Sequence, residues 1–155
     1  MRKLSALLFF VLLALSSTGC DSGGNNEDSV SDKITGNWML TSISDDEGDK
    51  TAVFTTGYNG IDISFESSMN FTIDVDAKVD AGDQTISGTW SVNETQSKLT
   101  LSASLSGLPV ALDFTYAFSG DDVITLTAGG NTSVLLNTLL GTTLQGSIEL
   151  TLART

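Results

Sequence analysis

The chain has 155 residues, of which 40% are apolar and 17% charged, so it is long enough and apolar enough to form one domain with a core. Nineteen acidic against seven basic residues give a net charge of −12, which excludes a nucleic-acid-binding protein, because such proteins need a basic surface. There is no histidine and only one cysteine, so histidine-dependent catalysis, zinc sites and disulfides are also excluded.

The first nineteen residues have the layout of an export signal. Met1-Arg2-Lys3 is a short cationic segment, and twelve almost continuously apolar residues, 4–15, follow it. A helix that spans a bilayer needs about 20 apolar residues, so this stretch predicts a signal peptide rather than a permanent span. An ordinary secretory signal, with Cys20 as a free thiol, is the alternative.

Small residues precede Cys20 in the segment Ser16-Ser17-Thr18-Gly19-Cys20, which resembles the lipobox of bacterial lipoproteins. The resemblance implies that residues 1–19 are removed and that Cys20 becomes the acylated N-terminus. It departs from the usual pattern at Ser17, where leucine is favoured. We therefore expect a lipid-anchored protein of the cell envelope, with the outer membrane favoured over the inner. Stable attachment is expected because several acyl chains bind a bilayer far better than one.

Residues 20–33 predict a flexible tether that carries the acylated cysteine. Gly, Ser, Asn and acidic side chains dominate residues 21–33, and such a segment cannot bury enough surface to fold. The folded domain is then expected over residues 34–155.

Apolar and polar residues alternate through this domain in eight segments, which is the pattern of half-buried strands. The segments are 37–44, 61–66, 71–80, 86–93, 99–106, 110–118, 122–128 and 144–152. Short connections favour antiparallel neighbours. We predict an all-β fold, an eight-stranded up-and-down antiparallel barrel, with a β-sandwich as the alternative. A transmembrane barrel is disfavoured because many strands are short and no aromatic girdles are visible.

Residues 131–141 break the two-residue period. The pairs Leu135/Leu139 and Leu136/Leu140 have helical spacing, and Gly141 is suited to end a helix. A short helix over residues 132–140 that packs on one barrel opening is predicted, capped by a residue within 131–133. A ninth strand or an ordered apolar loop is the alternative.

The start of the first strand, Gly36-Asn37-Trp38, resembles the Gly-x-Trp motif of lipocalins and of bacterial lipocalin-like domains. The segment Gly88-Thr89-Trp90-Ser91-Val92, followed by Leu99-Thr100-Leu101, resembles a hairpin of lipocalin-like domains in bacterial lipoproteins. The resemblance implies that Trp38 packs across the closed end of the barrel and that Arg154 in the last strand contacts it. A second lipocalin signature, Thr-Asp-Tyr, is absent, so the ligands of core lipocalins do not carry over.

The interior of such a barrel is either filled by side chains or holds one small ligand. Leu, Ile, Val and Phe dominate the inward rows, so any guest is expected to be a hydrophobic small molecule. Trp90, Tyr116, Phe71 and Phe114 are the candidate ligand-binding residues, with Tyr116 as a polar contact. For Trp38 and Trp90 a purely structural role is the favoured interpretation. A structural or protein-interaction module with a filled barrel is the alternative function.

No catalytic site, metal site or cofactor is predicted. The acidic residues 45–49 and those between 74 and 83 do not have the spacing of an EF-hand, and a solvated acidic surface is the favoured interpretation. Serine and threonine are abundant, but no base or oxyanion motif accompanies them. The chain is therefore predicted not to be an enzyme.

Overall fold

The computed structural model describes residues 29–78 and 83–155. Its strands are β1 (Gly36–Asp45), β2 (Gly48–Asp49), β3 (Tyr58–Phe65), β4 (Asn70–Ala77), β5 (Gln84–Asn93), β6 (Lys98–Leu105), β7 (Leu108–Phe118), β8 (Val123–Ala128) and β9 (Ile148–Arg154). Its helices are α1 (Val30–Ile34), α2 (Thr51–Gly57) and α3 (Asn131–Leu140), with a 3-10 turn at Glu94–Gln96. The predicted signal peptide, Cys20 and residues 21–28 of the tether lie outside the described residues.

Eight of these strands form a closed barrel. Each strand from β3 to β8 pairs antiparallel with the next, and β1 pairs with both β3 and β9, so the sheet returns to its start. Residue pairs such as Trp38↔Ile63 on one edge of β1 and Leu40↔Leu152 on the other fix the closure. The predicted up-and-down barrel is confirmed, and the β-sandwich alternative is wrong because two stacked sheets would leave strand edges that here are paired.

The core follows the alternation of apolar residues along the strands, with one change of phase. Trp38 and Leu40 of β1 point inward, but the pairing with β9 shifts between Leu40 and Ser42, and beyond this bulge Ile43 and Asp45 are the buried residues. A bulge adds one residue to a strand and so moves the next side chains to the opposite face. Because of this change of phase, Asp45 is buried at the end of β1.

The two ends of the barrel are built differently. We call the end with α1 and the turns after β3, β5 and β7 the closed end, because the buried side chains of Ile34, Trp38 and Phe65 fill it. We call the opposite end, with α2, α3 and the turn between β6 and β7, the mouth. In the described part of the chain, no helix combines the length and apolar character needed to cross a membrane.

Helix α1 corrects one predicted boundary. The sequence placed residues up to Lys33 in a flexible tether, but Val30–Ile34 is a helix with Ile34 fully buried. Ser29 accepts a hydrogen bond from the backbone N–H of Asp32, and the Asp32 carboxylate accepts one from the N–H of Ser29. This capping box stabilises so short a helix, and the Ser-x-x-Asp spacing was a signal for it in the sequence.

Helix α3 confirms the predicted helix near residues 132–140, and the alternatives of a ninth strand or a loop are wrong. Gly141 ends it with φ +59°. Its start differs from the expectation, because Gly130 with φ +54° is the cap residue and none of the side chains of 131–133 caps the helix. The last strand also begins later than predicted: β9 starts at Ile148, and buried Leu144 lies in the connection before it.

Candidate functional site

The closed end is a packed structure that contains both tryptophans. The indole N–H of Trp38 donates to the carbonyl of Ile34 at 2.7 Å, and that of Trp90 donates to the carbonyl of Glu66 at 3.1 Å. Phe65 meets Trp90 edge-to-face with ring centres 5.5 Å apart. Every indole donor is therefore satisfied within the protein, which fits the structural role that the sequence favoured for these two residues.

Arg154 lies where the resemblance to lipocalin-like domains implied. Its guanidinium carbon is 4.4 Å from the ring centre of Trp38. Its nitrogens donate to the carbonyl oxygens of Thr35 at 2.9 Å, Lys33 at 2.6 Å and Asp121 at 3.2 Å. One side chain thus connects the last strand, helix α1 and the turn between β7 and β8.

The half of the barrel nearer the mouth contains a space of about 60 Å³, which we call the inner cavity. Nineteen of its twenty lining residues are apolar, and Gln84 is the exception. Phe71 and Phe114, two of the four residues that the sequence suggested for ligand binding, lie in its wall. Leu136, Leu139 and Leu140 of α3 form its lid.

Two other predicted ligand-binding residues lie away from the inner cavity. Trp90 packs at the closed end, and Tyr116 lies half-buried against Phe118 with ring centres 5.6 Å apart. Neither is among the cavity-lining residues. Burial and the charge of Glu94 raise the pKa of the Tyr116 hydroxyl, so the phenol stays neutral at ordinary pH. The alternation of apolar residues correctly predicted that Trp90 and Tyr116 point into the barrel. It does not predict how far from the mouth each side chain lies.

Gly88 is a small residue that points into the barrel, yet it leaves no room for a ligand. A Cβ at this position would overlap the backbone carbonyl oxygen of Ser102 and would lie 2.9 Å from the ring of Phe71. The space beside Gly88 is therefore filled by the protein itself. Ala103, which pairs with Gly88 across β5 and β6, does line the inner cavity.

One side of the barrel leaves its inward residues incompletely covered. Ile73, Ile86, Val110 and Ala103 on β4 to β7 are only half-buried, although they point inward. On the opposite side, Leu152 of β9 is completely buried. The inner cavity therefore opens toward solvent between α3 and the ends of β4 to β7.

A second space, the mouth cleft, lies between α2 and the end of α3. It has a volume of about 610 Å³ and is lined by Asp45, Glu47, Lys50, Val53, Phe54, Gly57, Tyr58, Ala77 and residues 140–145. Phe54 and Tyr58 stack with ring centres 4.8 Å apart and form its aromatic wall. Leu140 lines both the mouth cleft and the inner cavity, so the two spaces adjoin at the end of α3.

Helix α2 was not predicted, because it lies between the first two predicted strands, where the sequence showed no periodic pattern. Four of its seven residues are Thr or Val, which are mediocre helix formers, so propensity gave no signal. The carboxylate of Asp49 accepts a hydrogen bond from the backbone N–H of Thr51 at 2.9 Å and so holds the first turn. Burial of Phe54 then fixes the helix on the mouth of the barrel.

The acidic loop after β1 also differs from the solvated surface that the sequence indicated. The side chain of Asp45 is only 1% exposed. Its oxygens accept hydrogen bonds from the backbone N–H groups of Gln145 and Glu47, each at 2.9 Å, and Lys50 lies 3.7 Å away. Burial raises the pKa of this carboxyl, but the backbone donors and Lys50 outweigh it and leave the pKa lowered.

Asp46 extends the same connection. Its carboxylate accepts a hydrogen bond from the N–H of Ser147 at 3.1 Å and lies against Gly146, where a Cβ would overlap it. The loop after β1 is thereby fixed to the segment that leads into β9. Within the described residues, no group of three or more acidic or cysteine side chains has an arrangement suited to a metal ion.

Helix α3 is attached at both ends by side chains outside its apolar face. The Thr132 hydroxyl accepts from the backbone N–H of Asp113 at 3.1 Å, and the Ser133 hydroxyl donates to the carbonyl of Ala128 at 3.0 Å. At the other end, the Tyr58 hydroxyl donates to the carbonyl of Leu140 at 2.6 Å. The helix is thus held over the mouth by a few polar contacts and three leucines.

Comparison with known proteins agrees with this architecture. Residues 34–107 match the family model of the lipocalin-like domain, a segment that runs from the end of α1 through β6 and its following turn. A search of curated proteins finds no match. The chain is therefore similar to lipocalin-like domains over its first six strands, and its closed eight-stranded barrel is a lipocalin-like fold.

Proposed function

We propose that this protein is an exported lipoprotein, anchored in the cell envelope through Cys20, whose barrel binds a hydrophobic small molecule. The observation that carries the binding is the inner cavity, which is lined almost entirely by apolar residues and opens between α3 and β4 to β7. Barrel mouths and apolar cavities are common sites for small ligands. The similarity to lipocalin-like domains supports the same function.

The size of the inner cavity sets the kind of ligand. A volume of 60 Å³ is far below the roughly 300–1,000 Å³ of a typical ligand pocket. A slender apolar group fits as the barrel stands, and a longer one requires α3 to move outward. Gly129, Gly130 and Gly141 flank the helix, so the backbone at both of its ends can change conformation with little steric cost. We propose that the ligand enters beneath α3.

The anchor would orient the barrel. The described residues begin at α1, which lies at the closed end, so a tether from Cys20 joins the barrel at the end opposite the mouth. The eight residues 21–28 span at most about 28 Å when fully extended. We propose that the closed end faces the membrane and the mouth faces the aqueous space. Incorporation of labelled palmitate that is lost in Cys20→Ser tests the anchor.

Binding is tested with the chain from residue 20 onward carrying Cys20→Ser, which contains every strand of the barrel. The probe is N-phenyl-1-naphthylamine, a neutral fluorophore that brightens in apolar sites. We expect saturable binding that Ala103→Phe reduces at least tenfold, because the new ring fills the inner cavity. The matched control is Ala111→Phe, which makes the same change on the exposed face of β7 and should leave binding unaltered. Equal loss in both variants, or no saturable binding at all, contradicts the proposal.

A second function is favoured by one specific observation, the small volume of the cavity. If the barrel is only a rigid filled support, its exposed mouth residues would contact a protein partner. The fluorophore would then fail to bind, and Ala103→Phe would cost stability without affecting any ligand. The same pair of variants therefore separates the two functions.

A further inference from the structure

We infer that the mouth cleft holds the polar head of an amphipathic ligand whose alkyl tail occupies the inner cavity, and that this head is not anionic. The inference rests on the proposed binding function and specifies its ligand class. It starts from Leu140, which lines both the mouth cleft and the inner cavity. Because Leu140 is the last residue of α3, the outward movement of this helix that a longer tail requires would also join the two spaces into one elongated site.

The inner cavity is apolar, like the tail of an amphipathic molecule, and the mouth cleft is partly polar, like its head. The inner cavity has a single polar lining residue, Gln84. The mouth cleft is far larger and combines an apolar floor, formed by Phe54, Tyr58 and Leu140, with a polar rim. Burial of apolar area favours an alkyl tail in the inner cavity. A polar head is favoured in the mouth cleft, because it can form hydrogen bonds there while it stays partly solvated.

The charges on the rim determine which head is accepted. The cleft-lining side chains carry two carboxylates, Asp45 and Glu47, and one ammonium, Lys50, which gives a net charge of −1 (+1 − 2). The ammonium of Lys50 is already paired, 2.8 Å from Glu47 and 3.7 Å from Asp45. An anionic head would therefore have to displace Glu47 from Lys50 and would also meet its repulsion.

A cationic head competes with Lys50 for Glu47 but is attracted by the net negative charge of the rim, and a neutral head meets no repulsion. The carboxylate of Glu47 is 65% exposed and so is accessible to a new partner, whereas Asp45 is buried and bound to backbone N–H groups. The exposed residue Thr143 adds a hydroxyl to the same rim. An amine-bearing head gains an ion pair with Glu47, and a sugar head gains hydrogen bonds, so both are accepted and the amine is preferred.

The test uses three probes with the same decyl chain, each below its critical micelle concentration: decyltrimethylammonium, decyl maltoside and decyl sulfate. Displacement of N-phenyl-1-naphthylamine from the Cys20→Ser chain reports their Kd values. We expect decyl sulfate to bind roughly tenfold more weakly than decyltrimethylammonium, the ratio for one charge interaction of about 1.4 kcal/mol. Decyl maltoside should lie between them.

Two matched pairs of variants locate the effect. Glu47→Gln should reduce the preference for the cation over the anion, whereas Glu94→Gln makes the same charge change at the closed end and should not. Leu140→Ala should tighten binding of all three probes several-fold by widening the place where the two spaces adjoin. Leu144→Ala removes an equally buried leucine that lines only the mouth cleft and should not tighten binding.

The outcomes separate this inference from the proposed function. If the fluorophore binds but the decyl probes bind equally, bind with the sulfate tightest, or do not bind, this inference is wrong and the binding function stands. An equal response to Glu47→Gln and Glu94→Gln also overturns it, because the discrimination would then come from the net charge of the protein. If neither the fluorophore nor any decyl probe binds, the proposed function fails as well.

Discussion

The guanidinium of Arg154 covers the indole ring of Trp38 and at the same time bonds three carbonyl oxygens in two other segments. The two residues pair directly between β9 and β1, at the point where the barrel closes. This contact therefore links the closure between β9 and β1 to the position of α1 and to the packing of the closed end. Its loss should weaken the whole fold rather than one loop.

We predict that Arg154→Ala lowers the free energy of unfolding by about 2–4 kcal/mol, because it removes a cation–π contact and leaves carbonyl oxygens without a donor. Arg154→Lys should recover less than half, since a single ammonium cannot reach the same three acceptors. Urea unfolding followed by the fluorescence of Trp38 and Trp90 measures both. Lys98→Ala, which breaks a surface ion pair with Asp113, is the control and should cost less than about 1 kcal/mol.

Gly88→Ala is predicted to destabilise the barrel by roughly 2–3 kcal/mol or to prevent folding. The added methyl group overlaps the backbone of Ser102, which cannot move without breaking the pairing of β5 and β6, and it crowds the buried ring of Phe71. Gly60→Ala makes the same change where no atom lies within 4 Å. Thermal unfolding of the two variants should differ clearly, and equal melting temperatures would contradict the steric explanation.

Tyr58→Phe should loosen α3 while leaving the barrel intact. It removes the hydrogen bond to the carbonyl of Leu140, which is worth about 1 kcal/mol, and keeps the ring that stacks on Phe54. We expect faster amide exchange in residues 131–140 and faster association of an apolar fluorophore, if the ligand enters beneath α3. Unchanged exchange in α3, measured by mass spectrometry, would show that this bond does not hold the helix.

We predict that the stability of the protein depends on pH mainly in the acidic range. The pKa of Asp45 is lowered in the folded protein, as are those of Asp49 and Asp113, which accept hydrogen bonds from Thr51 and from Lys98 and Thr100. A lowered pKa gives stability that is present above the unfolded value near 4 and is lost as the pH falls through the folded value. The unfolding free energy should therefore decrease from about pH 5 downward.

Asp45→Asn isolates the buried member of this group. The variant should be less stable than the parent at pH 7, and the difference should shrink as the pH falls below 4, because protonation removes the same charge from the parent. Urea unfolding at a series of pH values gives the comparison. A constant difference across the series would mean that Asp45 acts through packing and not through its charge.

The amino-acid pattern specified the strands and their antiparallel order, but the closing of β9 on β1, which excludes a sandwich, is seen only in the structure. Alternation along rows such as Leu99, Leu101 and Ala103 fixes which face of a strand is buried, and short turns between strands fix antiparallel neighbours. The helix at Asn131–Leu140 was predictable for the same reason, because Leu136 and Leu140 repeat at helical spacing and Gly141 follows. These features depend on contacts between residues close in the chain.

The position of the candidate site follows from the three-dimensional fold and not from the residue pattern. The lining of the inner cavity depends on the position of each inward side chain along the barrel axis. Phe71 and Phe114 lie at the level of the cavity, whereas Trp90 and Tyr116 do not. The mouth cleft depends on Asp45 and Gln145, which are separated by 100 positions in the chain yet joined by a hydrogen bond. A two-residue period specifies the direction of a side chain but carries no information about such distant partners, because they meet only after the barrel has closed.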